Sequence, residues 1–348
     1  MSRITRRIFI ATTGAAIATR RATAADLPPN ERVLYDAAKK EGEITWYSGQ
    51  IQSEPAEAAG RAFTERYPGI KVNVVRSTSQ VAFQRLSEDM RAGAPQCDFF
   101  SSTDYGHYLF LKREDMLQPF RPQNADGLLP ALRDQDKDNM WQICSLGLYL
   151  MTYNTRKVSD ADAPKSWKDV LDPKWKDQLA IGHPGYSGSV GVMCVILKRM
   201  YGWDYFKALE KNKPQIGRSS DDPVTLLNAG ERNVGIGVSA ATPLLSISRG
   251  NPLKLIYPTE GTEAVFGPSA IPKNAPHPNA AKLFMEFATG PIFSQVLRKY
   301  FIMTVRTDVP APEGALPLDQ VKLLTATPKE IEDGVPEVRE LWRDTFGV

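Results

Sequence analysis

The sequence predicts an α/β protein of two lobes, and three observations carry that prediction. The N-terminal half alternates short apolar runs with amphipathic stretches in a β-α-β-α-β rhythm, the pattern of a mostly parallel sheet flanked by helices. About 320 residues follow a leader-like N-terminus, more than one comfortable core holds. Two extended apolar segments, Trp141 to Asn154 and Gly267 to Ile271, are placed to run between the lobes as crossovers.

An entry helix is expected over Asn30–Glu41. Ile44–Ser48 is β-rich, and Pro55–Arg66 has helical spacing and ends at Tyr67-Pro-Gly. Ile70–Arg76 alternates as a strand, Val81–Ala92 puts Val81, Phe83, Leu86 and Met90 largely on one helical face, and Cys97–Ser102 is again strand-like. Beyond the first crossover come a short helix over Trp167–Leu171 and a strand over Leu179–Ile181. Helices follow over Val190–Tyr201, Trp203–Asn212 and Asp222–Gly230, the last capped by Ser-Ser-Asp-Asp. Val234–Val238 and Leu253–Tyr257 read as strands, and Pro278–Thr289 and Ile292–Lys299 as helices.

Residues 1–25 do not fit the fold. Arg6-Arg7 precede Ile-Phe-Ile, a short apolar stretch and an A-x-A site at Ala22–Ala24, the layout of an export signal cleaved near Ala24-Ala25. The string TRRIFIA resembles the twin-arginine export pattern. These residues hold five arginines and no acid, so the net charge falls from +3 to −2 once they are removed. Nothing then argues for nucleic acid or a membrane surface as partner. No later apolar run is long enough to span a bilayer, so stable membrane insertion is not expected. Cys97, Cys144 and Cys194 lack metal or scaffold spacing and read as buried thiols, with one disulfide open.

The predicted strand tips are polar and small: Ser48-Gly49, Ser77-Thr78-Ser79-Gln80 and Ser101-Ser102-Thr103-Asp104. In an open α/β sheet such tips line one crevice. The segment Ala180 to Val192, AIGHPGYSGSVGV, adds a strand, a Pro-Gly turn, two serines and a helix start. Hydroxyls, backbone N–H groups and a helix dipole there suit a compact anion. Catalytic chemistry is scarce. Ser187 and Ser189 each miss one glycine of G-x-S-x-G, and the histidines are His107, His183 beside the serine loop, and His277 in a Pro-His-Pro surface turn. No metal-ligand spacing or phosphate loop occurs, and no cofactor or catalytic residue is expected.

From roughly Glu43 to Val309 the chain resembles type II periplasmic substrate-binding proteins of ABC importers, in the branch of ferric-iron, polyamine and phosphonate binders. EGEITWYSG (41–49), VRSTSQVAFQRL (75–86), DFFSSTD (98–104) and SWKDVLDPKWKDQLAIGHPGYSGSVG (166–191) carry the resemblance. So do YGWDYFKALEKNKPQIGRSSDDPVTLLNAGE (201–231) and GPSAIPKNAPHPNAAKLFMEFATG (267–290). It implies a two-lobed fold, each lobe a mixed sheet flanked by helices, with a two-strand hinge and hinge closure on the solute. Lobe one would comprise 26–148 with 264–306, lobe two 149–263, and a C-terminal helical tail 307–348. A monomer in the periplasm, passing its solute to permease subunits, is implied.

Carried over by position, the ligand shell comprises Ser48, Thr78, Ser79, Ser102, Asp104, Ser187, Gly188, Ser189, Arg218 and Thr242. Asp104 has capping of the next helix as its other reading, and Arg218 pairing with Asp221 or Asp222. Arg76 is expected to support its loop from outside. Ferric binders of the branch carry two adjacent tyrosines where this chain has Ala240 and Ala241. The donor set favours a carboxylate, phosphonate or phosphate ester, ahead of a polyamine or amino-bearing zwitterion and then ferric iron. An exported hydrolase using Ser187 with His183 is the alternative from another class.

Overall fold

The computed structural model describes residues 27–348, so the export signal read at 1–25 lies outside the described residues. In chain order the first part runs α1 (Pro29–Ala38), β1 (Glu43–Ser48), α2 (Ser53–Arg66), β2 (Lys71–Arg76), α3 (Ser79–Arg91), β3 (Phe99–Ser101), α4 (Tyr105–Arg113) and β4 (Leu117–Gln118). The long strand β5 (Trp141–Asn154) leads to β6 (Leu179–Ile181), α5 (Gly188–Tyr201), α6 (Asp204–Lys211), β7 (Gln215–Ile216), α7 (Asp222–Asn228), β8 (Val234–Ser239), α8 (Ala241–Ser248) and β9 (Leu253–Ile256). The second long strand β10 (Thr262–Pro272) returns to α9 (Pro278–Ala288) and α10 (Pro291–Lys299), and β11 (Leu323–Leu324) precedes α11 (Pro328–Phe346).

One continuous mixed sheet runs through both lobes in the order β2-β1-β3-β10-β5-β8-β6-β7, with β4 and β11 on β10 and β9 on β5. The expected rhythm is present: β1 pairs parallel with β2 and β3, and β6 parallel with β7 and β8. The crossovers β5 and β10 are antiparallel to each other and shift register between Gly267 and Pro268. That irregularity falls where β10 leaves its pairing beside β3 and enters the second half of the sheet. A bulge there bends the strand and raises its twist, which suits a junction between two lobes.

Register places the site. Ser48 of β1 lies beside Arg76 of β2 and Ser101 of β3, so the loops after all three strands leave from one edge. In the second half, Ile181 of β6 sits beside Ile236 and Ile216, and the loops after β6 and β7 leave together.

Burial follows the apolar pattern. Trp46 of β1 packs against Phe99, Phe284 and Phe293, and Phe63 of α2 packs against Phe284 and Phe287. Each such ring is worth ~1.5–3 kcal/mol of burial, and this cluster cements α2, α9 and α10 to the first half of the sheet. Helix α5 is buried from Gly188 to Leu197, which explains its nearly all-apolar composition: the sheet covers one face and α11 another. Cys97, Cys144 and Cys194 are buried free thiols. His277, expected in a surface turn, instead donates its backbone N–H to the buried Asp98 carboxylate at 2.6 Å as α9 begins. Among the described residues no helix is long and apolar enough to cross a membrane.

Helix α8 had no counterpart in the sequence reading. Its run of small and hydroxyl residues broken by Pro243 hides helical periodicity, yet Pro sits within its first turns, where the missing N–H costs nothing.

Candidate functional site

The two halves meet around a cavity with ≈ 800 Å³ of empty space, its mouth included. Lobe one supplies Gly49–Gln52, Arg76, Thr78, Ser79 and Thr103. Lobe two supplies Ser187, Ser189, Ser219–Asp221 and Ser239–Thr242, and the crossovers form the floor through residues such as Ser145, Tyr149 and Gly267.

Three helix N-termini reach this cavity. Thr78 is the N-cap residue of α3, Ser187 that of α5 and Ala240 that of α8, and none makes a side-chain cap bond. The first-turn N–H groups of a helix have no partner within the helix and carry partial positive charge, so converging N-termini favour a bound anion. The Thr78 hydroxyl is buried with no hydrogen-bond partner, and so is the Gln50 Oε1 atom. Ser79 is satisfied: its hydroxyl donates to the Gly49 carbonyl at 2.9 Å and receives the Thr103 N–H at 3.1 Å. Ser187 and Ser189 are bonded to each other at 3.0 Å.

Two charged residues face the cavity. Arg76 closes β2, and its Nε is buried without a partner. Burial lowers the guanidinium's pKa, opposed by Asp221 and Tyr149. Asp221, before α7, accepts hydrogen bonds from the Thr242 hydroxyl and, across the cleft, from the Gln52 amide. Burial raises the Asp221 pKa, against the pull of Thr242 and Arg76. The neighbouring Asp222 frees Asp221 for this role. It accepts the backbone N–H groups of Arg218 (2.6 Å) and Ser219 (3.1 Å), so the turn folds on Asp222 while Asp221 points to the cavity.

Of the ten residues expected in the ligand shell, Thr78, Ser79, Ser187, Ser189 and Thr242 line the cavity. The other five are placed elsewhere. Ser48 is buried at the tip of β1 and donates to the Ile51 carbonyl at 3.2 Å. Ser102 is buried, bonded to His107 Nδ1 at 2.8 Å and to the Asp104 N–H. Asp104 is the N-cap of α4, accepting the Gly106 N–H at 2.9 Å and the Gln80 amide at 2.7 Å. Gly188 serves the closed contact between lobes, since a Cβ there would lie 2.8 Å from Thr103 Oγ1. Arg218 is exposed, its guanidinium over the Tyr186 ring at 4.9 Å.

The guanidinium that faces the cavity is therefore Arg76, expected outside it. The available signal was its position, a charged residue closing an apolar strand directly before Ser77-Thr78-Ser79 on the polar edge. Gln50 and Gln52 carried no motif. Tyr149 lines the cavity, and Ala240 and Ala241 lie at its wall where ferric binders of the resembled branch place tyrosines. Burial raises the Tyr149 phenol well above its ordinary pKa, partly offset by Ser189.

No activated nucleophile is assembled at the serine loop. His183 Nδ1 accepts the Gly185 N–H at 2.8 Å, and Ser187 pairs with Ser189. A second serine, histidine and aspartate do come together, with Asp104 Oδ2 3.4 Å from His107 Nε2. Ser102, however, has no exposed surface, and Phe83 stacks on the His107 ring at 4.0 Å. That cluster caps α4 and fills the core.

Comparison with known proteins agrees with this architecture. A Haemophilus influenzae protein of uncharacterized role is 26% identical over 67% of this chain and 68% of its own length. The major ferric iron-binding protein of Neisseria meningitidis is 30% identical over 46% of each chain, so the match spans less than half of that relative. A Salmonella typhimurium protein, provisionally named a 2-aminoethylphosphonate-binding periplasmic protein, is 25% identical over 63% of this chain and 60% of its own. Among solved structures, the periplasmic binding protein AfuA of Actinobacillus pleuropneumoniae, with exogenous fructose-6-phosphate bound, superposes with TM-score 0.80 at 25% identity. That match covers 88% of this chain and 99% of AfuA. Iron-bound HitA of Pseudomonas aeruginosa shares the fold, with TM-score 0.74 at 19% identity over 87% of this chain and 99% of its own. Residues 97–324 match the family described as bacterial extracellular solute-binding protein, and the chain belongs to it.

Proposed function

We propose that the protein is the receptor of an ABC importer outside the cytoplasm, and that its solute is a small organic anion with hydroxyl or amino groups. The observation that carries this reading is Arg76, a half-buried residue whose buried Nε has no partner, lining the same cavity as the unpartnered Thr78 hydroxyl. An unmet charged donor in a buried cavity is costly unless an anion meets it, and charge-assisted bonds to a phosphate, phosphonate or carboxylate are strong ones. The Thr78 hydroxyl, the Ser187–Ser189 pair and the N-termini of α3, α5 and α8 complete the donor set.

Asp221 supports the second half of the reading. A half-buried carboxylate lining an anion site favours a hydroxyl or ammonium on the same solute, as sugar phosphates and aminophosphonates carry. Fructose-6-phosphate in AfuA, and the ligand in the Salmonella relative's name, belong to these two classes. A single phenol, Tyr149, lines the wall where Ala240 and Ala241 lie, which disfavours direct ferric coordination. The receptor performs no chemistry: solute contacts from both lobes stabilise the closed arrangement, and delivery to the permease follows opening.

A thermal-shift panel tests the class. Sugar phosphates, aminophosphonates, carboxylates, spermidine and Fe(III) are each added to the full chain. At a hundred times Kd a ligand adds ~2.7 kcal/mol of stability, enough to raise the melting temperature by several degrees. A shift with phosphate esters or phosphonates and none with Fe(III) is expected. A shift with Fe(III) or spermidine alone would contradict the reading.

A further inference from the structure

We propose that α11 is a strap that holds the two lobes closed from outside the cavity. It supplies none of the cavity's lining, yet its buried face of Ile331, Val335, Val338 and Trp342 packs across α4 of lobe one and α5 and α6 of lobe two. The proposal rests on the two-lobed architecture and not on which solute binds.

The attachments of α11 are unequal. On lobe two, Arg199 meets Glu330 at 2.8 Å and the Thr325 carbonyl at 2.9 Å, and Lys198 meets Glu337 at 2.5 Å. The Trp203 indole donates to the Thr345 hydroxyl at 2.9 Å, and the Trp342 ring packs edge-on against the His183 ring of the serine loop at 6.0 Å. On lobe one the polar tie is Arg113 to Glu332 at 2.9 Å. Helix α11 therefore travels with lobe two, and its seat on α4 is the contact that parts when the lobes separate.

The seat is close. A Cβ at Gly106 in the first turn of α4 would lie 3.3 Å from Glu332 Cα, so the two backbones meet because position 106 carries no side chain. Two residues earlier, Asp104 N and Cβ lie 3.0 Å from the Cβ position of Gly188, which opens α5 at the cavity. One short segment, 103–106, thus touches the cavity helix and the strap together. A contact made only in the closed arrangement shifts the open–closed equilibrium by its own free energy, and ligand affinity moves with the closed fraction.

The test is an interlobe distance without added ligand. Spin labels replace Lys71 on β2 and Lys207 on α6, both exposed, and the three native cysteines are buried and stay unlabelled. Gly106→Leu wedges the seat. Arg113→Glu sets two like charges across it at the surface, where folding is not at stake. Both variants are expected to move the distance distribution outward by several ångströms with cooperative unfolding retained. Lys198→Glu, which breaks a tie on the lobe-two side only, is expected to leave it in place. Folded Gly106→Leu and Arg113→Glu proteins with the wild-type distribution would overturn the proposal, as would an equal shift in Lys198→Glu.

Discussion

The Gln52 side-chain amide, from the loop before α2, donates a hydrogen bond across the cleft to the Asp221 carboxylate before α7. Thr242 at the start of α8 holds the other carboxylate oxygen. The two lobes are thereby joined inside the cavity, at the charged group that also feels Arg76. Gln52→Ala removes the crossing bond and leaves the carboxylate with Thr242. A bond to a charged group is worth ~1.5–3 kcal/mol, so an affinity loss of about tenfold or more is expected in titrations with a bound organic phosphate. Unchanged affinity would place Gln52 outside the closure energetics.

Asp104 separates capping from binding. Its side chain caps α4 and accepts from Gln80, with no surface on the cavity. Asp104→Ala should cost about 1–2 kcal/mol in chemical denaturation and leave solute affinity within twofold. A folded variant that loses binding would return Asp104 to the ligand shell.

Glu263 gives the protein a pH signature. It lies in β10 opposite Tyr149, fully buried, with neither carboxyl oxygen bonded. Burial holds its pKa well above the carboxylate range, so the folded state keeps the proton that the unfolded chain releases near pH 4.3. Between those two values the native state binds more protons, and stability falls as pH rises. Glu263→Gln cannot ionise and should flatten that slope, with its advantage growing toward alkaline pH and vanishing below about pH 4. Parallel curves of denaturation midpoint against pH for the two proteins would contradict this.

Much of the fold was legible because period-2 and helical patterns agree with burial. The strand Trp141–Asn154 has the bounds its unbroken apolar run predicts, and Leu179–Ile181 likewise. The site was half legible. Serines at strand tips mark the right edge, but the same residue type serves as cap, core donor or ligand donor depending on which way it points. Thr78 opens toward the cavity, whereas Ser48 and Ser102 are consumed by Ile51 and His107. Arg76 and Arg218 differ in the same manner: one side chain lines the cavity at the end of a strand with its Nε buried, the other lies on a tyrosine at the surface. Only tertiary placement separates them. Helix α8 was hidden because its small and hydroxyl residues and Pro243 carry no periodic contrast.

The strap has its own local signal. Thr327 and Glu330 form a capping box at the start of α11, each side chain satisfying the other's backbone N–H. The Thr327 N–H, with Arg199, lowers the Glu330 carboxyl pKa to about 2. Thr327→Ala should lower stability by ~1 kcal/mol, read as a drop in denaturation midpoint. No change would show that α11 is fixed by its apolar face alone.

The central claim is that Arg76 receives an organic anion between the lobes. Calorimetric titration of wild type and Arg76→Ala with fructose-6-phosphate, 2-aminoethylphosphonate and Fe(III) citrate tests it most directly, with Arg218→Ala alongside. At least one organic anion is predicted to bind wild type and Arg218→Ala alike, and to lose tenfold or more in Arg76→Ala. Binding of Fe(III) alone, or organic-anion binding that survives Arg76→Ala and fails in Arg218→Ala, would contradict the account.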